Sequence, residues 1–404
     1  MPSLTATNQA APAPKTLPLW PWIIGCGLVL LLFLRDLSVF ADGRIGNEAA
    51  WGRDFANLWT GGQLLNAGRV DILTNIHAYQ QFQAGLFGPL ASHNYSYPPV
   101  SYPIAQLLAL LPYPAALAAW IIGTGALFMR ACRPWWPKEA GPQWLAVLTP
   151  AALLNIWAGH YGFLLGAIFL FGWHNLDRRP VRAGVFFGLM LVKPHLALLV
   201  PLALLLRRER IATMAAAATA ITIVAITGAV YGWGSWSYFL FHTSVVQAGM
   251  IDSGRSFFGL LSTSFATAAL RATDSWLLAV VGQLLFALGG VALVVLAVRR
   301  RCPTDKLGLL VASATFMALP YAFAYDLTVV TVGAVVVMVA GDSAAQDRRW
   351  ATFGFMAPSL GILFAFAGIP VMSILIALLA LAQFRAACGP IWVSSGRAAP
   401  AAAT

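Results

Sequence analysis

The chain returns again and again to apolar runs, at about 18–34, 97–111, 113–129, 144–157, 161–173, 183–192, 195–206, 211–230, 276–298, 308–323, 327–340, 351–367 and 370–384. A helix needs about 20 apolar residues to cross a bilayer, and a segment in lipid must satisfy its own backbone polar groups. Of the 404 residues, 59% are hydrophobic and 10% are charged, against about 25% charged in a soluble domain. The chain therefore reads as an all-α polytopic membrane protein. The two-residue alternation of an outer-membrane barrel is absent. The opening MPSLTATNQAAPAPKTLP reads as a Pro/Ala-rich tail. No small-residue cleavage site follows the first apolar run, so that run is expected to be an anchor and not a removed signal peptide.

A formal charge of +11 invites a nucleic-acid reading, but its placement argues against one. Basic residues gather in short links between apolar runs: Arg130, Arg133 and Lys138; Arg178, Arg179 and Arg182; Arg207, Arg208 and Arg210; Arg299, Arg300, Arg301 and Lys306; Arg348 and Arg349. Short Lys/Arg-rich loops stay on the cytoplasmic side. The two long intervals that are not apolar, 35–96 and 231–275, then fall outside the cytoplasm. One membrane domain is expected over 1–404. Within it, 41–96 and 231–275 are extracytoplasmic loops, and 1–17 and 390–404 are flexible tails. The four cysteines are scattered, and Cys132 and Cys302 lie in basic links, so reduced thiols are expected and no disulfide framework.

The run 183–206 has basic links at both ends. If both links face the cytoplasm, the run must enter the membrane and return. Its middle reads LMLVKPHLALL, and proline breaks a helix and restricts the residue before it. Two short helices are expected, with Lys193, Pro194 and His195 at the turn. A lysine within the membrane is a functional-site candidate, the bland alternative being a side chain that snorkels to the headgroups. By the same reasoning 143–176 breaks at NIWAGHYGFLLG, placing Asn155, His160 and Tyr161 at a second outer turn. About twelve transmembrane helices result.

The first outer interval contains WGRDFANLWTGGQLLNAGRV. After Asp54, a helix puts Phe55, Leu58, Trp59, Gly62 and Leu65 on one face, which predicts a helix lying in the membrane interface. Asp54 is well placed as its N-cap. The interval ends in HNYSYPPVSYP, carrying His93 and Tyr97, and a later run, ALPYAFAYDLTVV, brings Tyr325 and Asp326 to the edge of an apolar segment.

In order and spacing, the segments GRDFANLWTGGQLLNAGRVDILTNIHAYQ, YSYPPVSYPIAQLLALLPYPAALAAW, GHYGFLLGAIFL, DRRPVRAGVFFGLMLVKPHLALLVPLALLLRRER and ALPYAFAYDLTVV resemble successive motifs of glycosyltransferase family 87. Its members are polyprenyl-phosphate-mannose-dependent mannosyltransferases and relatives with the GT-C fold. The resemblance implies a GT-C-type arrangement, with a long extracytoplasmic first loop carrying interfacial helices and short broken helices around a lipid-facing cavity. It also implies that Asp54 is the catalytic base, and it matches Lys193-Pro194 and Tyr325-Asp326 to family motifs. The chain departs from the family at Gly159-His160, where members commonly carry Gly-Gln. Lys193, His195, Tyr325, Asp326 and Arg53 are the expected donor-binding residues. Trp59, Tyr97, His93, Asn155, His160, Tyr161 and Arg255 are the expected acceptor-binding or cavity-lining ones.

The chemistry suits these residue types. One carboxylate serves an inverting displacement at an anomeric carbon, whereas glycoside hydrolysis uses two. A departing phosphate needs cationic stabilisation more than an acid, and Lys193 supplies a charge. No DxD or ExD pair occurs in the first outer interval, and the spacing of His93, His160 and His195 gives no support for zinc, so transfer without metal or cofactor is expected. The expected partners are a polyprenyl-phosphate-linked sugar, a lipid or glycan acceptor and membrane lipids. The expected setting is the cytoplasmic (inner) membrane, with the site on its extracytoplasmic side and a role in glycolipid synthesis. A secondary transporter or lipid flippase is the alternative. Buried midplane charges and repeat symmetry mark transporters, whereas here the acids avoid the apolar runs.

Overall fold

The computed structural model describes residues 16–46, 49–88, 94–243, 245–246 and 257–389. His93, Arg255 and nearly all of the two expected tails lie outside the described residues. Among the described residues, five helices are long and apolar enough to cross a membrane: α1 (Trp20–Ser38), α6 (Tyr113–Cys132), α11 (Arg210–Tyr231), and the helices Trp276–Arg299 and Val371–Cys388. At 22 residues, α11 is about 33 Å long, enough for a hydrocarbon core of about 30 Å. Its outward face is bare hydrocarbon, with Ile211, Met214, Ile221, Ile226 and Val230 exposed. In a soluble protein that face would need a cover; in a bilayer lipid is the cover.

The expected count of about twelve crossings is not what helix length alone defines, because several apolar runs form helices too short to cross singly. The run 143–176 breaks into α7 (Pro150–Ala158) and α8 (Gly162–Asn175). The run 183–206 breaks into α9 (Pro180–Leu189) and α10 (Val200–Leu206), joined by two 3-10 turns, Met190–Val192 and Pro194–Ala197. Lys193 sits between those turns with φ −145° and ψ 74°, outside the helical region that a following proline disfavours. Both breaks fall where the sequence placed them.

Small residues bring these pieces together. On α9, Gly184 and Gly188 face α11 so closely that an added Cβ would lie 2.4 Å from the Ala212 carbonyl oxygen and 2.7 Å from that of Ala216. Two small residues four apart on one face allow this approach of backbones in a membrane.

The interval 35–96 is more structured than expected. It opens with a three-stranded antiparallel sheet of two-residue strands, β1 (Phe40–Ala41), β2 (Arg44–Ile45) and β3 (Ala49–Ala50), so the chain is mostly helical and not purely α. Then follow α2 (Phe55–Asn66), α3 (Val70–Leu73) and α4 (Ile76–Phe87). The expected interfacial helix, α2, is buried nearly all round and not on its apolar face alone. Gly62 packs against the backbone of α5 (Tyr102–Leu108), where a Cβ would lie 2.0 Å from the Ala105 carbonyl oxygen. On the other side, the Asn57 amide oxygen accepts from the Tyr79 hydroxyl and from Gln83, each at 3.1 Å. Asn57 is thus turned inward and satisfied by α4 instead of by water, while Gln63 and Asn66 donate to the Ala109 and Gln106 carbonyls at 2.9 and 3.1 Å.

Candidate active site

Asp54 begins α2, but it does not cap it. Its backbone is already helical (φ −65°, ψ −21°) and its side chain makes no capping hydrogen bond. The reason lies in the two residues before it. Gly52 (φ 82°) and Arg53 (φ 46°) both take left-handed conformations, which costs a non-glycine residue about 1 kcal/mol or more. Arg53 is held there by a buried ion pair. Its guanidinium donates to both Asp36 carboxylate oxygens at 2.6–2.9 Å, and it lies 4.1 Å from the centroid of the Trp157 ring. Trp157 in turn donates to Asp36 at 2.8 Å. The Asp54 amide donates to the Ala158 carbonyl at 3.0 Å. The end of α1, the start of α2 and the end of α7 are thereby tied together.

The Asp54 charge lies within electrostatic range of the Tyr97, Tyr321 and Tyr325 hydroxyls. Tyr325 and Asp326 belong to a 3-10 turn, Ala324–Asp326, that precedes the helix Thr328–Val339. This turn meets both helix breaks. Lys193 donates to the two Asp326 oxygens at 2.8 and 2.6 Å, with the lysine 7% and the aspartate 5% exposed. The ammonium lies 5.4 Å from the Tyr325 ring centroid. From the other break, His160 stacks on Tyr325 with centroids 4.3 Å apart, its Nδ1 3.7 Å from Asp326 Oδ1. His160 Nε2 is 3.1 Å from the Tyr97 hydroxyl.

Glycine makes the second break possible. Gly159 has φ 62°, and a Cβ there would strike the Gly52 carbonyl oxygen at 2.6 Å. Gly162 donates to the Asn155 amide oxygen at 2.8 Å, and a Cβ on it would lie 2.4 Å from the Tyr325 carbonyl oxygen. Asn155 is thus buried as a brace for the turn. Tyr161 packs edge-on between Trp120 and Tyr97, at 5.1 and 4.8 Å.

Asp54, Tyr97, His160, Tyr161, Lys193, Tyr325 and Asp326 therefore share one neighbourhood. His195 adjoins it, near Tyr321 at 6.1 Å between ring centroids. Trp59 does not join them: its indole donates to the Leu111 carbonyl at 3.0 Å, toward the α5–α6 turn. Arg53 faces Asp36 rather than the lysine cluster. Tyr321, which the sequence reading passed over, belongs to the neighbourhood; its signal was its position four residues before Tyr325, in the same motif. Asp36 was also passed over, and no local pattern marks it.

The basic links gather at the far end of the molecule. Arg207 contacts Asp177 at 3.1 Å and Thr304 at 2.9 Å, and the Trp135 indole donates to the Asp305 carbonyl at 3.3 Å. A cavity of about 500 Å³ opens there, lined by Trp135, His174, Arg207 and Arg301 among others. The 14 residues of α8, about 21 Å of helix, run from the tyrosine–lysine neighbourhood to this end.

Fold and site together define a multi-helix membrane protein with a cluster of ionisable side chains buried at its helix breaks, opposite its basic links. The family model of glycosyltransferase family 87 matches residues 95–320, and the chain belongs to that family; it is a glycosyltransferase. The matched span contains Tyr97, His160, Lys193 and His195, while Asp54 and Tyr325–Asp326 flank it on either side. No curated protein and no solved structure matches the chain.

Proposed function

We propose that the protein moves a sugar, mannose being the first choice, from a polyprenyl-phosphate donor to a hydroxyl of a lipid or glycan acceptor, with inversion, on the extracytoplasmic side of the cytoplasmic membrane. The observation that carries the reading is the meeting of Asp54 and the Lys193–Asp326 pair around Tyr325, at the end of α8 remote from the basic links. A polyprenyl donor keeps its tail in the bilayer and its phosphate at the surface, which suits a cation at a helix break. Asp54 takes the proton of the acceptor hydroxyl as its oxygen attacks the anomeric carbon. The carbon–oxygen bond to the phosphate breaks, and the phosphate leaves with the electron pair. That group gains negative charge as it leaves, and a cation in a water-poor site stabilises it most at that moment. The short helices surrounding these residues support a GT-C-type arrangement of about twelve crossings in which the broken pairs count as crossings.

The test is single-turnover transfer by purified protein given radiolabelled polyprenyl-phosphate sugars, with membrane lipid extract as acceptor. Transfer from one of them, lost in Asp54→Asn, is the expected result. No transfer from any polyprenyl-phosphate sugar, alongside transfer from a nucleotide sugar, would overturn the donor assignment.

A further inference from the structure

Lys193 poses a difficulty for any reading in which it binds phosphate. Both Asp326 oxygens already hold its ammonium, so the pair carries no net charge toward a ligand. A buried lysine neutralised in this way attracts a phosphate weakly. Something must draw Asp326 off as the phosphate arrives.

His160 is placed to do so. Its Nδ1 lies 3.7 Å from Asp326 Oδ1, beyond hydrogen-bond reach, and among the described residues that buried nitrogen has no hydrogen-bond partner. Buried polar nitrogens are nearly always satisfied, and an exception calls for an explanation. The ring cannot drift away, because Tyr325 stacks on one face and the Tyr97 hydroxyl meets Nε2. A shift of about 1 Å between ring and carboxylate would close an N–H···O contact of ordinary length. The groups facing His160 come from every side of the cluster. Lys193 and His195 come from the break after α9, Asp326 and Tyr325 from the 324–326 turn, Tyr97 from the segment before α5, and Tyr161 from its own turn. With Lys193 and Asp326 neutralising each other, a further proton on His160 would leave an uncompensated buried charge, which is costly. Once a phosphate takes the lysine, the bare Asp326 carboxylate becomes the uncompensated charge, and a proton on His160 offsets it.

We propose that His160 is a positioning residue that gains a proton from solvent when phosphate binds, taking Asp326 from Lys193 and leaving the ammonium to the phosphate. The inference rests on the polyprenyl-phosphate reading above. The sign follows from linkage. The bound state holds one more proton, so binding is strongest at low pH and weakens by up to about tenfold per pH unit as pH rises through the histidine's bound-state pKa.

Calorimetric titration of the detergent-solubilised full-length protein with polyprenyl phosphate tests this. Two buffers of different ionisation enthalpy, at pH 8, measure the protons taken up per ligand bound. The parent should take up close to one, and His160→Gln close to none. Asp326→Asn is the second variant: it frees the lysine from the start, so it should bind without proton uptake, and it decides the matter if His160→Gln does not fold. Uptake that persists in either variant, or binding by the parent without uptake, would overturn the relay. No binding by the parent would overturn the polyprenyl-phosphate reading itself, and the relay with it. Inorganic phosphate forms a further arm: weak or absent binding supports the lipid as source, whereas equal binding and uptake would support the relay and overturn that source.

Discussion

Lys193 and Asp326 stand 133 residues apart in the chain and meet at 2.6 and 2.8 Å in the fold. The contact joins a broken helix to a turn remote in the chain, and both partners are buried.

Removing one partner strands the other. Lys193→Ala should destabilise the protein by about 3–5 kcal/mol, the usual cost of an uncompensated buried charge. Replacing both with Ala should cost less than the sum of the single changes. Lys193→Arg should keep part of both stability and donor binding, because the charge survives. Thermal melts and donor titrations of the four variants check this; strictly additive losses would mean that the pair is not coupled.

The Arg53–Asp36 clamp is the second such pair. Asp36→Ala leaves a guanidinium buried beside Trp157 in a left-handed backbone. It should lower stability by several kcal/mol and loosen Asp54, so that turnover falls more than donor affinity does. Unchanged melting with unchanged turnover would show that the clamp holds nothing in place.

Gly162 allows two turns to touch. Gly162→Ala would drive a methyl group toward the Tyr325 carbonyl oxygen and the Asn155 amide, at 2.4 and 2.7 Å before any shift. It should cost more than 1 kcal/mol and most of the transfer activity. Gly123→Ala, on the exposed side of α6 with open space around it, should be silent or slightly stabilising, since alanine suits a helix better than glycine. Equal effects at the two sites would remove the packing argument.

The basic links and the lysine cluster lie at opposite ends of α8. In a cysteine-free background, a cysteine placed at Gly43, in the β1–β2 turn, and one at Ala345 should therefore show opposite accessibility to an impermeant thiol reagent in intact cells. Equal labelling would refute the sidedness assigned to the site.

The two helix breaks were legible in the sequence because proline and glycine act locally. Pro194 fixes where the run 183–206 turns, and Gly159 and Gly162 mark the other turn. The gathering of the basic links at one end was legible for the same reason, since their charge belongs to short segments. What the breaks contact was not legible. Nothing near Lys193 announces Asp326, and nothing near Arg53 announces Asp36, because such pairs depend on how distant segments pack. The α2 helix shows a subtler limit. Its apolar period was real, but periodicity cannot tell a polar residue that meets water from one, such as Asn57, that meets Tyr79 and Gln83. Two-residue strands carry no period at all, so β1 to β3 left no trace.

Asp54 tests the account most directly. Asparagine has the shape of aspartate and caps a helix about as well, and here the side chain makes no capping bond to lose. Asp54→Asn should therefore express and melt close to the parent. General-base catalysis contributes about 10²–10⁴-fold, so single-turnover sugar transfer by Asp54→Asn should fall at least a hundredfold. Transfer within a few-fold of the parent, at unchanged stability, would contradict the assignment of Asp54 as the base.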